Sequence, residues 1–202
     1  MTAYYNIAEM FLQTGKYQRA YEYYSLQYDA AVKISDGLYQ YRALTNLGLA
    51  QHLQDKDQEA KELLLKAGDR GRKSAPPDEM CLTYYFLGEV YLNLAQFHEA
   101  LVAADEALRT ATLAGMDDDA DKARLLKLRI RHRNGDRQAL DEIIAISSNS
   151  GDISVLADVH YCLFKMTGKN EYRENALTAL KKLCQNAPDH FNQTKIDELE
   201  IP

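Results

Sequence analysis

The sequence repeats with a fixed period of about 40 residues, and this constrains the fold more than any other feature. Ala20, Ala60 and Ala100 fall in register when the chain is laid on itself with that shift. Further columns contain Ala8, Gly48 and Gly88, then Tyr4, Leu44 and Tyr84, then Ala67 and Ala107. A fixed period of roughly 20–50 residues is typical of arrays in which each unit packs on its neighbours. The sequence therefore predicts a stack of small, similar units.

The spacing of apolar residues indicates that each unit is a pair of helices. In the first unit the i, i+3, i+4, i+7 spacing of one helix face is met by Tyr4, Ile7, Ala8 and Phe11. The same spacing recurs in the third unit at Tyr84, Leu87, Gly88 and Tyr91. The chain has only 4 Pro and 10 Gly, which favours long helices. The recurring Ala and Gly predict the points where two helices cross closely, because a larger side chain would separate their axes.

These columns resemble the tetratricopeptide repeat pattern W-x2-L-G-x2-Y…A-x3-F…P. The first unit gives Tyr4-x2-Ile7-Ala8-x2-Phe11 and then Ala20-x3-Tyr24, and the third gives a similar match. The second unit has Gln51 in place of the aromatic residue, the fourth is degenerate, and the fifth contains Gly168, Ala176, Leu180 and Pro188. The resemblance implies an all-α, right-handed α-solenoid of helical hairpins. The period exceeds the family's usual value of about 34 residues, so the units are similar to the longer repeats of bacterial signalling regulators and Pins-type polarity adaptors.

We predict a single repeat domain over residues 1–202. Its repeats are expected at 1–37, 38–77, 78–116, 117–152 and 153–188, with a C-terminal capping helix at 189–200 that has Phe191, Ile196 and Leu199 on one side. The predicted helices are 2–13, 17–35, 38–54, 57–74, 78–94, 97–114, 119–133, 137–149, 154–166 and 170–186. Residues 127–133 alternate apolar and charged, which by itself would indicate a strand, but the register favours helix.

No pattern in the chain indicates catalysis, a cofactor or a metal. The 5 His are scattered, and the sequence contains neither H-E-x-x-H nor a C-x2-C pair. Residues 68–72 read Gly-Asp-Arg-Gly-Arg, but they lack the phosphate-loop pattern and no strand precedes them, so they indicate a helix end. We therefore predict that the protein is not an enzyme.

Charge, hydropathy and cysteine content exclude further classes of function. The net charge of −6 disfavours direct nucleic-acid binding by the whole surface. No segment approaches the roughly 18 apolar residues of a membrane span, and no secretory signal is recognisable. Cys81, Cys162 and Cys184 are an odd number at wide spacings, which predicts free thiols in a reducing, cytoplasmic setting.

The resemblance places a concave face on the first helix of each hairpin. Positions on these helices that are not committed to hairpin packing are candidate protein- or peptide-binding residues: Tyr5, Asn6, Glu9, Gln13, Thr45, Asn46, Leu49, His52, Tyr85, Phe86, Glu89 and Asn93. The amides of Asn6 and Asn46 lie one repeat period apart and suit the backbone of an extended peptide. The alternative is that these are solvated polar residues or contacts to a neighbouring repeat.

Family members that bind chaperones hold a C-terminal carboxylate with basic and Asn side chains on this face. This chain keeps Asn46 but has Tyr5, Glu9, Leu82 and Phe86 where that clamp would need Lys, Asn, Lys and Arg. We therefore predict no appreciable affinity for acidic chaperone tails.

Two local biases add candidates. Residues 122–137 contain seven basic residues and one acid, and Arg129 and Arg133 are predicted to face the groove and receive an acidic segment. The alternative is a solvated helix whose charges follow the helix dipole. Most of the 14 Tyr lie between Met1 and Tyr41. The Tyr residues that share one face of the second helix indicate core packing, whereas Tyr23, Tyr39 and Tyr41 are left for the surface or a partner.

The sequence thus predicts a non-catalytic scaffold that binds a protein or linear peptide, as a segment of a larger regulatory protein. The alternative is a ligand- or peptide-sensing regulatory module of a transcriptional regulator or nucleotide cyclase. Self-association through the N-terminal repeat is a further hypothesis, because that repeat has no cap.

Overall fold

A computed structural model describes residues 1–186 and 190–201, and within them the chain is all-α. The described helices are α1 (Thr2–Gln13), α2 (Tyr17–Lys33), α3 (Gly37–His52), α4 (Asp57–Ser74), α5 (Met80–Asn93), α6 (Phe97–Ala114), α7 (Asp117–Arg133), α8 (Gln138–Asn149), α9 (Ile153–Thr167), α10 (Asn170–Asn186) and α11 (His190–Glu200). A short 3-10 helix, Pro77–Glu79, precedes α5. The predicted all-α repeat fold is confirmed, and the helix ends lie within about two residues of the predicted ones.

The ambiguous segment at residues 127–133 is helical, as the register predicts. Ala120, Ala123, Leu126 and Ile130 are buried along one face of α7, and this burial outweighs the local alternation of apolar and charged residues. The first turn of α7 is acidic and its last turn is basic, which complements the helix dipole. Pro188 and Asp189, at the predicted junction between the fifth repeat and the capping helix, lie outside the described residues.

The repeat period is also present in the backbone. The turn inside each of the first four hairpins contains one residue in the left-handed region: Gly15 at φ 69°, Asp55 at φ 59°, Ala95 at φ 56° and Gly135 at φ 95°. The left-handed residue ends one helix and lets the chain reverse into the next. Two of these four positions are not glycine, so the repeat keeps the turn even where the side chain opposes it.

Small residues stand where paired helices cross. A Cβ atom on Gly48 would lie 2.5 Å from Cγ of Leu64 in the paired helix α4. One on Gly88 would lie 3.6 Å from the backbone N of Ala104 in the paired helix α6 and 2.8 Å from Cδ2 of Leu126 in the next repeat. Ala60 and Ala100, the neighbouring column of the repeat, are both fully buried. The recurring small residues therefore permit the close approach that the sequence predicts.

The chain divides into two compact units, Met1–Ile130 and Arg131–Pro202. In the first unit each hairpin packs on the next, so that α3 contacts both α2 and α4. In the second unit α11 covers α10, and Ile196 and Leu199 join Ala176 and Leu180 in one core cluster. The predicted single domain over residues 1–202 stays a prediction.

Candidate functional site

A half-open cavity of the first unit has a volume of about 540 Å³. Three of the predicted binding residues, Tyr5, Thr45 and Asn46, contribute to its wall. The wall also includes Tyr39 and Tyr41, which the sequence left for the surface or a partner. Four further wall residues were not indicated by the sequence: Gln27, Arg42, Asp78 and Glu79. Its volume is in the range of ordinary ligand pockets, about 300–1,000 Å³.

The predicted residues of α1 are partly open to solvent. Tyr5, Asn6 and Gln13 are exposed, whereas Glu9 is half-buried and accepts a hydrogen bond from the hydroxyl of Tyr24. Burial, followed by this contact with Glu9, raises the pKa of Tyr24, so its phenol stays protonated and donates to the carboxylate. Glu9 is therefore tied to the second helix of its own hairpin.

The predicted residues of α3 differ from one another in exposure. Thr45 is buried at the cavity wall, where its hydroxyl lies 2.8 Å from that of Thr83 in the next repeat. Asn46 and Leu49 are half-buried, and Asn46 is an uncommitted amide at the cavity. His52 is held by its own hairpin, since its Nδ1 lies 2.5 Å from Oδ1 of Asp57.

The predicted residues of α5 are largely engaged with neighbouring side chains. The Tyr85 hydroxyl donates to Oε1 of Glu89 over 3.1 Å, and Arg129 of α7 donates to the same oxygen over 2.5 Å. The ring of Phe86 meets that of Tyr85 edge-on at 5.7 Å and packs against the core. Asn93 donates to Oδ2 of Asp57 over 3.0 Å. Glu89 and Asn93 thus contact residues of neighbouring repeats, in α7 and α4, and the role of these positions in binding stays a prediction.

The basic residues of α7 are mostly paired with acids. Lys127 lies 2.6 Å from Asp105, and Arg124 pairs with Asp121 one turn earlier in the same helix. With Arg129 bound to Glu89, this pattern favours a neutralised surface over a patch that receives an acidic segment. Arg133 belongs to the second unit, where its side chain is exposed.

Tyr41 is buried, with 2% of its surface exposed, so the expectation that it lies at the protein surface is wrong. Its ring lies against Gly71, where an added Cβ atom would be only 2.9 Å from the ring carbons. Its hydroxyl donates to the carbonyl oxygen of Glu79 over 2.6 Å. Tyr41 therefore joins the second and third repeats and forms an inner wall of the cavity.

A bidentate ion pair closes one side of the cavity. Nε and Nη2 of Arg42 donate to Oε2 and Oε1 of Glu79 over 2.8 Å and 2.6 Å. The guanidinium also lies 5.5 Å from the ring centre of Tyr39. These hydrogen bonds from Arg42 lower the pKa of Glu79, so the carboxylate stays ionised and the charge of Arg42 is taken up within the protein.

Gln27 is the most unusual residue at the cavity. Only 1% of its surface is exposed, and its Oε1 atom is buried with no hydrogen-bond partner among the described residues. The corresponding positions of the second and third repeats are Ala67 and Ala107, both fully buried. A buried unpaired polar group costs about 1–3 kcal/mol. The sequence contains a signal for this residue, since Gln27 interrupts the column of Ala67 and Ala107.

The described residues contain no group of three or more His, Cys, Asp or Glu side chains placed to bind a metal ion. None of the described helices has the length and apolar character that a membrane crossing requires.

Comparison with known proteins finds one family model that matches two segments of the chain. Residues 2–34 and 83–111 match the sequence model of the Tetratricopeptide repeat. These two segments of the chain are therefore similar to tetratricopeptide repeats. The two matched segments lie in the hairpins α1–α2 and α5–α6, which are the repeats with the best pattern in the sequence. A search of curated protein sequences finds no match.

Solved structures of tetratricopeptide-like repeats share the fold. One crystal structure of kinesin light chain TPR-like repeats from Podosopora anserina superposes with a TM-score of 0.65 over 92% of this chain and 95% of the other, at 16% identity. A second, from the same source, gives a TM-score of 0.64 over 92% and 96%, also at 16% identity. At this identity the likeness shows the fold alone, and the long-period and Pins-type subtype stays a prediction.

Proposed function

We propose that the first unit is a non-catalytic binding module for an extended protein segment. The observation that carries this proposal is the open cavity with Asn46 in its wall, together with the exposed amide of Asn6 one repeat earlier on α1; neither amide has a hydrogen-bond partner among the described residues. A side-chain amide both donates and accepts, so a pair of them can hold a peptide backbone without selecting its sequence. Tetratricopeptide repeats typically mediate protein–protein interaction, which agrees with this role.

Selection of linear peptides from a displayed random library against the purified protein tests the proposal. We expect retained peptides to bind the wild type and to lose roughly 30-fold in affinity to the Asn6→Ala/Asn46→Ala variant, at about 1 kcal/mol for each lost hydrogen bond. The matched control is Gln18→Ala/Gln58→Ala, because these exposed amides have the same spacing on α2 and α4. A library that yields no binder, or binders equally affected by both variants, would contradict the proposal.

Acidic chaperone tails are expected not to bind this module. The cavity presents Leu82, which is 47% exposed, and Tyr5 where a carboxylate clamp would need cations. Titration calorimetry with a C-terminal acidic chaperone peptide should give no measurable heat of binding, and micromolar affinity would overturn this expectation.

Ligand sensing is the second candidate function, and the cavity volume of about 540 Å³ favours it. A small molecule would occupy the cavity without reaching Asn6, whereas an extended peptide would engage both. Binding that is insensitive to Asn6→Ala but lost on changes at the cavity wall would therefore support sensing.

We also propose that this array is a segment of a larger regulatory protein, and the sequence of the full gene tests this.

Self-association is favoured by the open face of α1. Ala3, Tyr4 and Met10 are exposed, whereas their counterparts one repeat later, Ala43, Leu44 and Ala50, are buried. The counterparts lie on α3, which packs between two helices. Light scattering should show a mass that rises with concentration in the wild type and falls to that of a monomer in Met10→Glu. A wild-type monomer at high concentration would refute it.

A further inference from the structure

We propose that the cavity of the first unit takes one basic side chain, arginine or lysine, of the bound segment. This inference rests on the proposed function and specifies the chemistry of its anchor. It is carried by three independent properties of the cavity: an unsatisfied buried acceptor, an excess of negative charge, and aromatic walls.

The unsatisfied acceptor is Oε1 of Gln27. The amide lies at the cavity wall, and the fold does not need it there, because the second and third repeats place fully buried alanines at the same position. A ligand group that donates a hydrogen bond would complete it. Carboxylate ligands cannot donate, and apolar side chains would leave the acceptor unpaired.

The charge of the cavity selects a cation among the possible donors. Arg42 is the cation of the wall, and Glu79 holds it in a bidentate ion pair. The remaining charge is the carboxylate of Asp78, which is exposed at the same wall. An incoming basic group therefore meets a negative site, whereas an acidic one would be repelled.

The remaining walls fit a basic side chain along its length. The rings of Tyr5 and Tyr39 belong to the wall. That of Tyr39 already lies beside the Arg42 guanidinium. We therefore expect the ring of Tyr5, which is 39% exposed, to stabilise the incoming ammonium or guanidinium group. Leu82 and Met116 provide apolar contact for the methylene stem. A guanidinium is planar and presents several donors, so arginine is expected to bind more tightly than lysine.

The test uses single-residue probes, so that it does not depend on a known partner. N-acetyl-arginine N-methylamide is titrated into labelled protein, and the side-chain amide resonance of Gln27 is followed by NMR. We expect a saturable shift with the arginine probe and at least about tenfold weaker binding of the citrulline analogue, which has the same shape without the charge. The glutamate analogue should not bind.

Protein variants separate binding from folding. Gln27→Met removes the acceptor at nearly constant volume, so it should keep or raise the melting temperature and weaken the arginine probe at least about tenfold. Asp78→Asn should weaken the probe with unchanged folding, since this exposed carboxylate has no structural partner in the described chain. Asp29→Asn, an exposed acid of α2 outside the cavity wall, is the matched control and should leave the probe affinity unchanged.

The outcomes distinguish this inference from the proposed function. The absence of a saturable shift at Gln27, equal binding of arginine and citrulline probes, or an unaffected Asp78→Asn variant would overturn the inference. Library peptides that bind without a fixed arginine or lysine would also overturn it and leave the proposed function intact. Should Gln27→Met fail to fold, Asp78→Asn alone decides the result.

Discussion

Replacement of Gly48 by alanine tests the packing argument on which the repeat depends. The added Cβ would lie 2.5 Å from Cγ and 2.8 Å from Cδ2 of Leu64. Carbon atoms in contact prefer separations of about 3.5–4.0 Å, so the overlap is roughly 1 Å. Leu64 is fully buried in a cluster with Leu87 and Val90 and cannot turn away without disturbing its neighbours.

Two opposing effects set the expected change in the free energy of unfolding. Overpacking of a core costs about 1–3 kcal/mol. Alanine in a helix interior gains about 1 kcal/mol over glycine. Because the overlap with Leu64 is roughly 1 Å, we expect an overpacking cost in the upper part of its range, about 2–3 kcal/mol, so that Gly48→Ala lowers the free energy of unfolding by about 1–2 kcal/mol. The matched control is Gly68→Ala in α4, where the new Cβ would meet only Nη1 of Arg72 at 3.8 Å, so the helix propensity should give a gain of about 0.5–1 kcal/mol.

Urea unfolding followed by far-UV circular dichroism measures both variants. The effect of Gly48→Ala on stability should change sign in a Leu64→Ala background. Leu64→Ala is itself destabilising by about 2–5 kcal/mol, but it removes the colliding atoms, so Gly48→Ala added to it should be stabilising. If Gly48→Ala is as stable as the wild type, or moves in the same direction as Gly68→Ala, the close crossing at Gly48 is refuted.

Two further predictions follow from the backbone and from burial. Ala95→Gly should raise the free energy of unfolding by about 0.5–1 kcal/mol, because φ at this exposed turn residue is 56° and glycine adopts that conformation without the penalty of a Cβ. The control is Ala145→Gly within α8, where the same change should be destabilising. A loss of stability in Ala95→Gly would contradict the prediction. Cys81 should be the slowest thiol to alkylate, because burial and then the charge of Asp119 raise its pKa to about 11. A raised pKa leaves less thiolate at a given pH, so the rate should be very low at pH 8 and rise about tenfold per pH unit towards 11. Mass spectrometry of alkylated peptides measures it against the half-buried Cys184, and equal rates would show that Cys81 is accessible.

The helices and their register could be predicted because both depend on short-range, periodic features. Ala20, Ala60 and Ala100 recur at one spacing, and all three are fully buried at the crossings that this spacing implies. The degenerate fourth repeat could also be predicted as helix, although residues 127–133 alternate apolar and charged side chains, because the register extends beyond this local pattern.

The polar contacts of the candidate site could not be predicted in the same way. The ion pair of Arg42 and Glu79 joins residues 37 positions apart, and that of Arg129 and Glu89 joins residues 40 positions apart. Their formation depends on which side chains reach one another across neighbouring repeats. The burial of Tyr41 has the same origin, since the partner of its hydroxyl is a backbone carbonyl of the following repeat.

The sequence by itself determined that this chain is an array of helical hairpins with close crossings at Ala and Gly, because helix periodicity and side-chain size are legible along the chain. Only the tertiary structure decided which polar groups have hydrogen-bond partners within the described part of the chain and which do not. Glu89, Asn93 and His52 have partners within the protein, whereas Oε1 of Gln27 has none. The physical reason is that hydrogen bonds and ion pairs between repeats depend on distances of a few tenths of an ångström, which no spacing along the sequence specifies.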